Sequence, residues 1–389
     1  MKKKPGSMNH SKAVGLALLT VSMLALNAFP QSLDSNFFIF LAFGQSNMEG
    51  YASGSVTQIE TQDTTNVPNR FQLLPAVDWS NNSRTKGTWT KAIPPLCRSS
   101  TGLCPCDYFG RTLVDSLPST IKIGIINVAV AGCAIEMFDK AKYQSYISSQ
   151  ADWMKTIANG YGGSPYARLV EMAKVAQNAG VIKGILLHQG ESGATSGDNW
   201  STEVKKIYSD LIKDLSLDSN KVPLLAGDLT NDNSHTSVVW NLANTKNFYI
   251  VSSDGCGVNS TSIHFSSAGY RSLGKNYADS MLVAFKKLGT GSATAIAQPN
   301  KKFGYAMGNG FELKTGSASV SFEIPQRAFV TLKAYTLSGK EIAELAAAEY
   351  SAGKHIIEFG RNVMPAGLTI LKIKAGAFSA TQTIMVAAH

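Results

Sequence analysis

Ser46 lies in the run Gly44-Gln45-Ser46-Asn47-Met48-Glu49-Gly50, directly after seven apolar residues, Phe37 to Phe43 (FFIFLAF). A glycine at that junction permits a tight exit from a strand, so the serine can present its hydroxyl at a helix N-terminus. Backbone N–H groups at a helix start also favour an oxyanion. Taken alone, the tripeptide reads equally as a Ser/Asn helix cap. Chemistry needs a base as well, because a free serine hydroxyl is a poor nucleophile.

The chain has six histidines. His10 falls in an N-terminal segment that reads as an export signal. His355 and His389 lie in a C-terminal region of different character. His264 follows the last apolar run of the central region and immediately precedes a helical pattern, which puts it on the same edge as Ser46. His188 ends another apolar run and is the second candidate. His235 sits in an Asn/Ser/Thr loop and reads as a surface residue. Gln189, after His188, can donate a neutral hydrogen bond, and Glu191 can hold an imidazole in one tautomer. Gly132, after Val130-Ala131, offers a backbone N–H that no side chain screens from a substrate.

These residues need a scaffold that gathers them. Apolar runs recur at Phe37–Phe43, Ile121–Val130, Ile182–Leu187, Val222–Ala226 and Phe248–Val251, as expected for strands buried on both faces. Helical faces lie between them. One is formed by Leu169, Met172, Ala173 and Ala176, a second by Val204, Ile207, Leu211 and Leu215, and a third by Leu273, Tyr277, Met281 and Phe285. Strands alternating with helices imply a three-layer α/β domain with a parallel sheet. In such sheets reactive groups collect at the C-terminal strand ends. The segment from Gln58 to Asp107 lacks periodicity and reads as loops beside a substrate site.

Composition changes near Gly289. Residues 289–302 read as a linker. Beyond them Val320, Phe322 and Ile324 alternate, then Val330 and Leu332, and Leu337-Ser338-Gly339-Lys340 reads as a turn. Residues 303–389 are expected to form a small all-β, sandwich-like module. At the other end, Lys2–Lys4 followed by the apolar stretch Ala13–Ala28 read as a signal peptide over residues 1–28, with a retained anchor as the alternative. That leaves 29–288 for the α/β domain. The formal net charge is +9, and four of its lysines precede residue 29, so the remainder carries +5. No Lys/Arg run forms a stripe for nucleic acid.

The five cysteines are Cys97, Cys104, Cys106, Cys133 and Cys256. An exported chain can hold disulfides, and an odd count leaves at least one thiol over. No histidine accompanies the cluster at ligand spacing, so a zinc site is not expected.

GQSNMEG, the VAVAG stretch, HQGE and SIHFSSAGY resemble, in order, the sequence blocks of the SGNH hydrolase superfamily. Within it they are most similar to the family six carbohydrate esterases and the sialate O-acetylesterase-like group. PPLCRSSTGLCPCDYFGRTL also resembles a segment of acetylxylan esterases. The similarity spans about Phe37 to Lys287. It implies a flavodoxin-like sheet and an acyl-enzyme mechanism with Ser46 as nucleophile and His264 as base. The oxyanion would be held by the N–H groups of Ser46 and Gly132 and by the Gln189 side chain. The resemblance implies no metal or organic cofactor. It points to a secreted or cell-surface esterase acting on acetylated polysaccharide, acetylated xylan first and sialate or another sugar second.

One position departs from the pattern. The family carries Asp three residues before the catalytic histidine, and here Thr261 stands there. Three readings follow. Glu191 supplies the orienting acid from a neighbouring strand end, which is the leading one. Asp254 loops back to do so. Or the chain is a weakened dyad or a non-catalytic carbohydrate-binding relative. The C-terminal module resembles, more loosely, the secretion or surface-attachment domains of exported bacterial enzymes.

Overall fold

The protein was analysed as a computed structural model. It describes residues 1–3, 6, 33–51, 59–80, 83–193, 197–230, 235–243, 245–261, 263–290, 312–313, 319–324, 328–336, 340–350, 353–358, 363–365, 367–375 and 378–386. The chain divides into two units, Met1–Ser32 and Leu33–His389. The expected signal peptide lies almost wholly outside the described residues, as do residues 291–302 of the expected linker and most of the Leu337–Lys340 turn. Among the described residues no helix is long and apolar enough to cross a membrane.

The larger unit contains a seven-stranded sheet. Its strands are β1 (Phe37–Gly44), β2 (Phe71–Leu73), β3 (Thr90–Lys91), β4 (Lys122–Ala129), β5 (Val181–His188), β6 (Leu224–Gly227) and β7 (Phe248–Val251). Their spatial order is β3-β2-β4-β1-β5-β6-β7, and every pairing is parallel except β2 with β3. All eight residues of β1 are buried. Phe37, Ile39, Leu41 and Phe43 pack into one core, while Phe38, Phe40 and Ala42 pack into the other. Side chains alternate between faces along a strand, so a fully apolar run serves two cores at once.

Helices Pro165–Gln177 and Gly197–Asp214 cover the first face with Leu169, Met172, Ala173, Val204, Ile207 and Leu211. Helices Pro105–Ser116 and Ser267–Leu288 cover the second with Phe109, Leu113, Leu273, Tyr277, Met281 and Phe285. The three-layer α/β architecture is therefore the one expected. Pro165 opens its helix where a missing N–H costs nothing, and Ser164 caps it by accepting from the Ala167 N–H at 3.2 Å.

The Gln58–Asp107 segment is more structured than expected. It adds β2 and β3 to the sheet edge and ends in the start of the Pro105–Ser116 helix. Strands of three and two residues are too short to show alternation in sequence.

The C-terminal module has its own small core, built on Val320, Phe322, Val330, Leu332, Leu371 and Ile373. Its strands β8 (Glu312–Leu313), β9 (Ser319–Ile324), β10 (Ala328–Tyr335), β11 (Glu341–Tyr350), β12 (Gly353–Glu358), β13 (Gly367–Ala375) and β14 (Phe378–Val386) form two antiparallel sheets, ordered β11-β10-β13-β14 and β12-β9-β8. The period-two pattern correctly marked it as all-β.

Candidate active site

Strand order places the site. β1 is flanked by β4 on one side and β5 on the other, so its C-terminal end is where the strand order reverses, the place at which open α/β sheets bind their ligands. Gly44 is level with Ala129 on β4 and with His188 on β5. The segments after these three strands therefore converge. Gly44 has φ 153°, and a Cβ there would lie 2.0 Å from the His188 carbonyl oxygen. Only glycine lets the chain turn this closely.

Ser46 begins a one-turn helix, Ser46–Glu49, that is buried throughout. As its first residue, Ser46 has no intrahelical acceptor for its N–H. Gly132 adopts φ 67° in the loop after β4, and its N–H finds no acceptor among the described residues. Both N–H groups are thus without an acceptor among the described residues.

His264 reaches Ser46 from the segment that follows β7, the edge strand of the sheet. Its loop is a small hairpin, closed by a Val258–Phe265 bridge, by Asn259 N–H donating to the His264 carbonyl at 2.9 Å, and by Ser266 N–H donating to the Gly257 carbonyl at 2.9 Å. Ser266 then caps the helix Ser267–Leu288. This geometry sets His264 Nε2 at 2.9 Å from Ser46 Oγ. The Tyr51 ring lies flat on the imidazole at 3.8 Å between centroids and 5° between planes. Burial pushes the imidazole below its ordinary 6.5, and the negative charge of Glu191 partly opposes that shift.

The other ring nitrogen, Nδ1, meets Thr261 Oγ1 at 2.9 Å. Proton counting fixes the tautomer. Thr261 N–H and Thr261 Oγ1 both donate to Asn259 Oδ1, at 2.8 and 2.5 Å. Two donors converge on that atom, so it is the amide oxygen. The single hydroxyl proton of Thr261 is thus committed, and its lone pair accepts Nδ1–H of His264. Nε2 is left unprotonated and faces the serine hydroxyl, the arrangement a general base needs.

This corrects the expectation for Glu191. Its carboxylate does not contact His264. It lies 3.3 Å from His188 Nε2 and accepts from Asn47 Nδ2. Burial raises the Glu191 carboxyl, but His188 and Asn47 outweigh it and hold the group below the usual carboxylate range. Both nitrogens of His264 are already occupied, so Glu191 acts on it only through space. His188, the alternative base, is buried with Nδ1 3.3 Å from the Tyr277 hydroxyl, and it does not reach Ser46. Asp254 pairs its own N–H with Ser252 and has no bond to His264.

Gln189 is corrected too. Its amide nitrogen donates to Gln45 Oε1 at 3.0 Å, to the Cys133 carbonyl at 3.2 Å and to the Ser192 carbonyl at 2.6 Å, while its oxygen accepts from Trp200 Nε1. With its protons committed inside the protein, Gln189 ties three loops together and has none left for an oxyanion.

Asn47 is the residue that sequence reasoning overlooked. Its Nδ2 donates to Glu191 and, at 2.9 Å, to the Ile263 carbonyl. Its Oδ1 accepts from Phe265 N–H at 3.3 Å and from the Tyr270 hydroxyl at 2.7 Å. Asn47 therefore grips the chain on both sides of His264. The sign was its place beside Ser46, but Glu191 lies 144 residues away and its other three partners more than two hundred.

Beneath the turn, Glu49 pairs with Arg98, and Arg98 also donates to the Ala129 carbonyl at 2.8 Å. All five cysteines are free and buried. Burial raises the thiols of Cys97, Cys104, Cys133 and Cys256, which are packing residues here.

A doubly covered, mainly parallel sheet that brings a serine and a histidine into hydrogen-bond contact beyond one strand end is the layout of a serine hydrolase. Residues 36–283 match the family described as carbohydrate esterase, sialic acid-specific acetylesterase, and the chain belongs to that family. Membership makes it a carboxylic ester hydrolase of the carbohydrate acetylesterase kind. Among solved structures it is similar to a novel carbohydrate acetylesterase from Xanthomonas citri, at 15% identity and TM-score 0.51, covering 86% of this chain and 74% of that one. It is also similar to an Arabidopsis thaliana protein, at 20% identity and TM-score 0.49, covering 64% of this chain and 99% of that one. NanS matches at 16% identity and TM-score 0.47, covering 66% and 99%.

Proposed function

We propose that the protein is an exported acetylesterase that removes O-acetyl groups from a neutral polysaccharide, acetylated xylan first, through Ser46 and His264. The observation that carries the mechanism is the 2.9 Å contact between Ser46 Oγ and an imidazole whose Nδ1–H is held by Thr261. Ser46 Oγ attacks the acetyl carbonyl as its proton passes to Nε2. The Ser46 and Gly132 N–H groups receive the oxyanion, and removing such a donor costs about 10²–10³ in kcat. The imidazolium then protonates the departing sugar oxygen. Water, deprotonated by His264, attacks the acetyl-serine, acetate leaves and Ser46 recovers its proton.

Charge supports a neutral sugar. Among the described residues that follow the strand ends, 45–51, 130–134, 189–193, 228–230, 252–261 and 263–266, there is no Lys or Arg. The nearby Arg98 is already paired with Glu49, so a sialate carboxylate is offered no free cation by these segments, whereas a neutral sugar needs none. The family description favours the second reading, a sialate O-acetylesterase. The residue 1–28 pattern supports export, and the C-terminal module supports attachment to a cell surface or passage through secretion machinery.

The test is acetate release from acetylated xylan and from O-acetylated sialic acid, with Ser46→Ala beside the wild type. Release from xylan alone, lost in the variant, is expected. Preference for the sialate ester would replace the substrate. Silence on both, with glycan binding retained, would make the chain a binding relative.

A further inference from the structure

We propose that the indole of Trp153 is the platform on which the substrate's sugar ring stacks, placing the ester carbonyl over Gly132 and Ser46. This rests on the esterase reading and deepens it, because it names the part of the substrate recognised, the C–H face of a neutral pyranose.

Trp153 is 52% exposed, the most exposed of the five tryptophans. The others are occupied. Trp200 and Trp240 donate to Gln189 and Asp228, Trp79 lies under the Arg84 guanidinium, and Trp89 packs on Phe37. Trp153 has neither a ring partner nor an N–H acceptor among the described residues. Its position is the decisive point. A Cβ built on Gly132 would lie 3.1 Å from Trp153 Cη2, so the six-membered ring borders the backbone assigned above to the oxyanion under the proposed function.

The ring is also held in place. Its helix, Asp152–Gly160, buries Met154 and Ala158 in the core, which leaves Trp153 on the outward side. Met154 Cε lies 3.5 Å from the same Gly132 position, so helix and oxyanion loop are in contact. An unpaired indole in water forgoes the gain of covering a large apolar surface, and the apolar face of a sugar supplies that cover. A flat aromatic face suits a pyranose, whose axial C–H bonds present a positive edge to the π-system. Stacking fixes the ring's plane but no hydroxyl pattern, so it orients a sugar ester without selecting which sugar.

The experiment compares Trp153→Ala and Trp153→Tyr with the wild type on acetylated xylo-oligosaccharide and on ethyl acetate. The expected result is a loss of about tenfold or more in kcat/KM on the sugar ester for the alanine variant. Tyrosine should restore most of it, and turnover of ethyl acetate should stay unchanged in both. Equal activity of Trp153→Ala and wild type on the sugar ester would overturn the platform and leave the esterase reading standing. So would an equal loss on both substrates. If the wild type releases acetate from no sugar, the esterase reading falls, and binding decides the platform. Xylo-oligosaccharide is titrated against Ser46→Ala and against Ser46→Ala/Trp153→Ala by calorimetry. Heat in the first only keeps the platform, and equal or absent heat in both rejects it.

Discussion

The two halves of the active site are built differently. The turn that carries Ser46 is made from adjacent residues and is buried throughout. Gly44, Gln45, Asn47, Met48 and Glu49 are all buried, and Asn127 fixes the Met48 carbonyl from β4 at 2.8 Å. The hairpin that carries His264 lies closer to solvent. Ile263 is 45% exposed, and Asn259 and Thr261 orient the imidazole without a charge. The nucleophile is thus placed by packing and the base by a chain of neutral hydrogen bonds. A neutral acceptor fixes the tautomer as well as a carboxylate does. It stabilises the imidazolium less, because charge-assisted hydrogen bonds are about twice as strong as neutral ones.

Variants can break this contrast or sharpen it. Ser46→Ala should show the largest effect, a fall in kcat on the order of 10⁶ with unfolding unchanged, seen in acetate release and in urea titration. Asn47→Ala should damage both halves at once. It leaves Glu191, the Ile263 carbonyl, Phe265 N–H and the Tyr270 hydroxyl without their partner, so about 2–4 kcal/mol of stability should be lost. The same variant should lose about 10²–10³ in kcat. Full activity at normal stability would mean that the hairpin holds His264 unaided.

Thr261 separates orientation from charge. Thr261→Val keeps the shape but removes the acceptor, and kcat should fall about 10- to 100-fold. Thr261→Asp restores a carboxylate. Asn259 Nδ2 is buried without a partner, so the Asn259 amide can turn to donate to the new group. That variant should raise kcat a few-fold and move the acid limb of the pH profile upward, because a negative charge favours imidazolium. An unmoved limb would show that the aspartate does not reach Nδ1.

The smallest effect concerns Glu191. The base works as neutral imidazole, so kcat/KM should rise with pH through a midpoint below 6.5, the direction set by burial. Glu191 raises that midpoint, so Glu191→Gln should lower it further while leaving the plateau within a few-fold. A collapse of the plateau would return Glu191 to the role of direct orienter.

Much of the scaffold was legible in sequence because β1, β4 and β5 are long apolar runs and the covering helices repeat every 3.6 residues. The short strands at the edge were not, since two or three residues carry no period. The residue types at the strand ends were also legible, and Ser46 and His264 lie within hydrogen-bond distance of each other. The roles of Glu191 and Gln189 were misread because each can bond to several partners, and only packing selects among them.

Sequence by itself determined that a serine follows a buried strand, that a histidine precedes the last helix, and that Thr261 stands three residues before that histidine. Those are facts of spacing and chemical type. Tertiary structure alone decided that Thr261 spends its proton on Asn259 and its lone pair on His264, that His188 takes Glu191 for itself, and that Trp153 borders Gly132. Hydrogen-bond direction depends on which donors converge on an atom, and that convergence joins residues from distant parts of the chain.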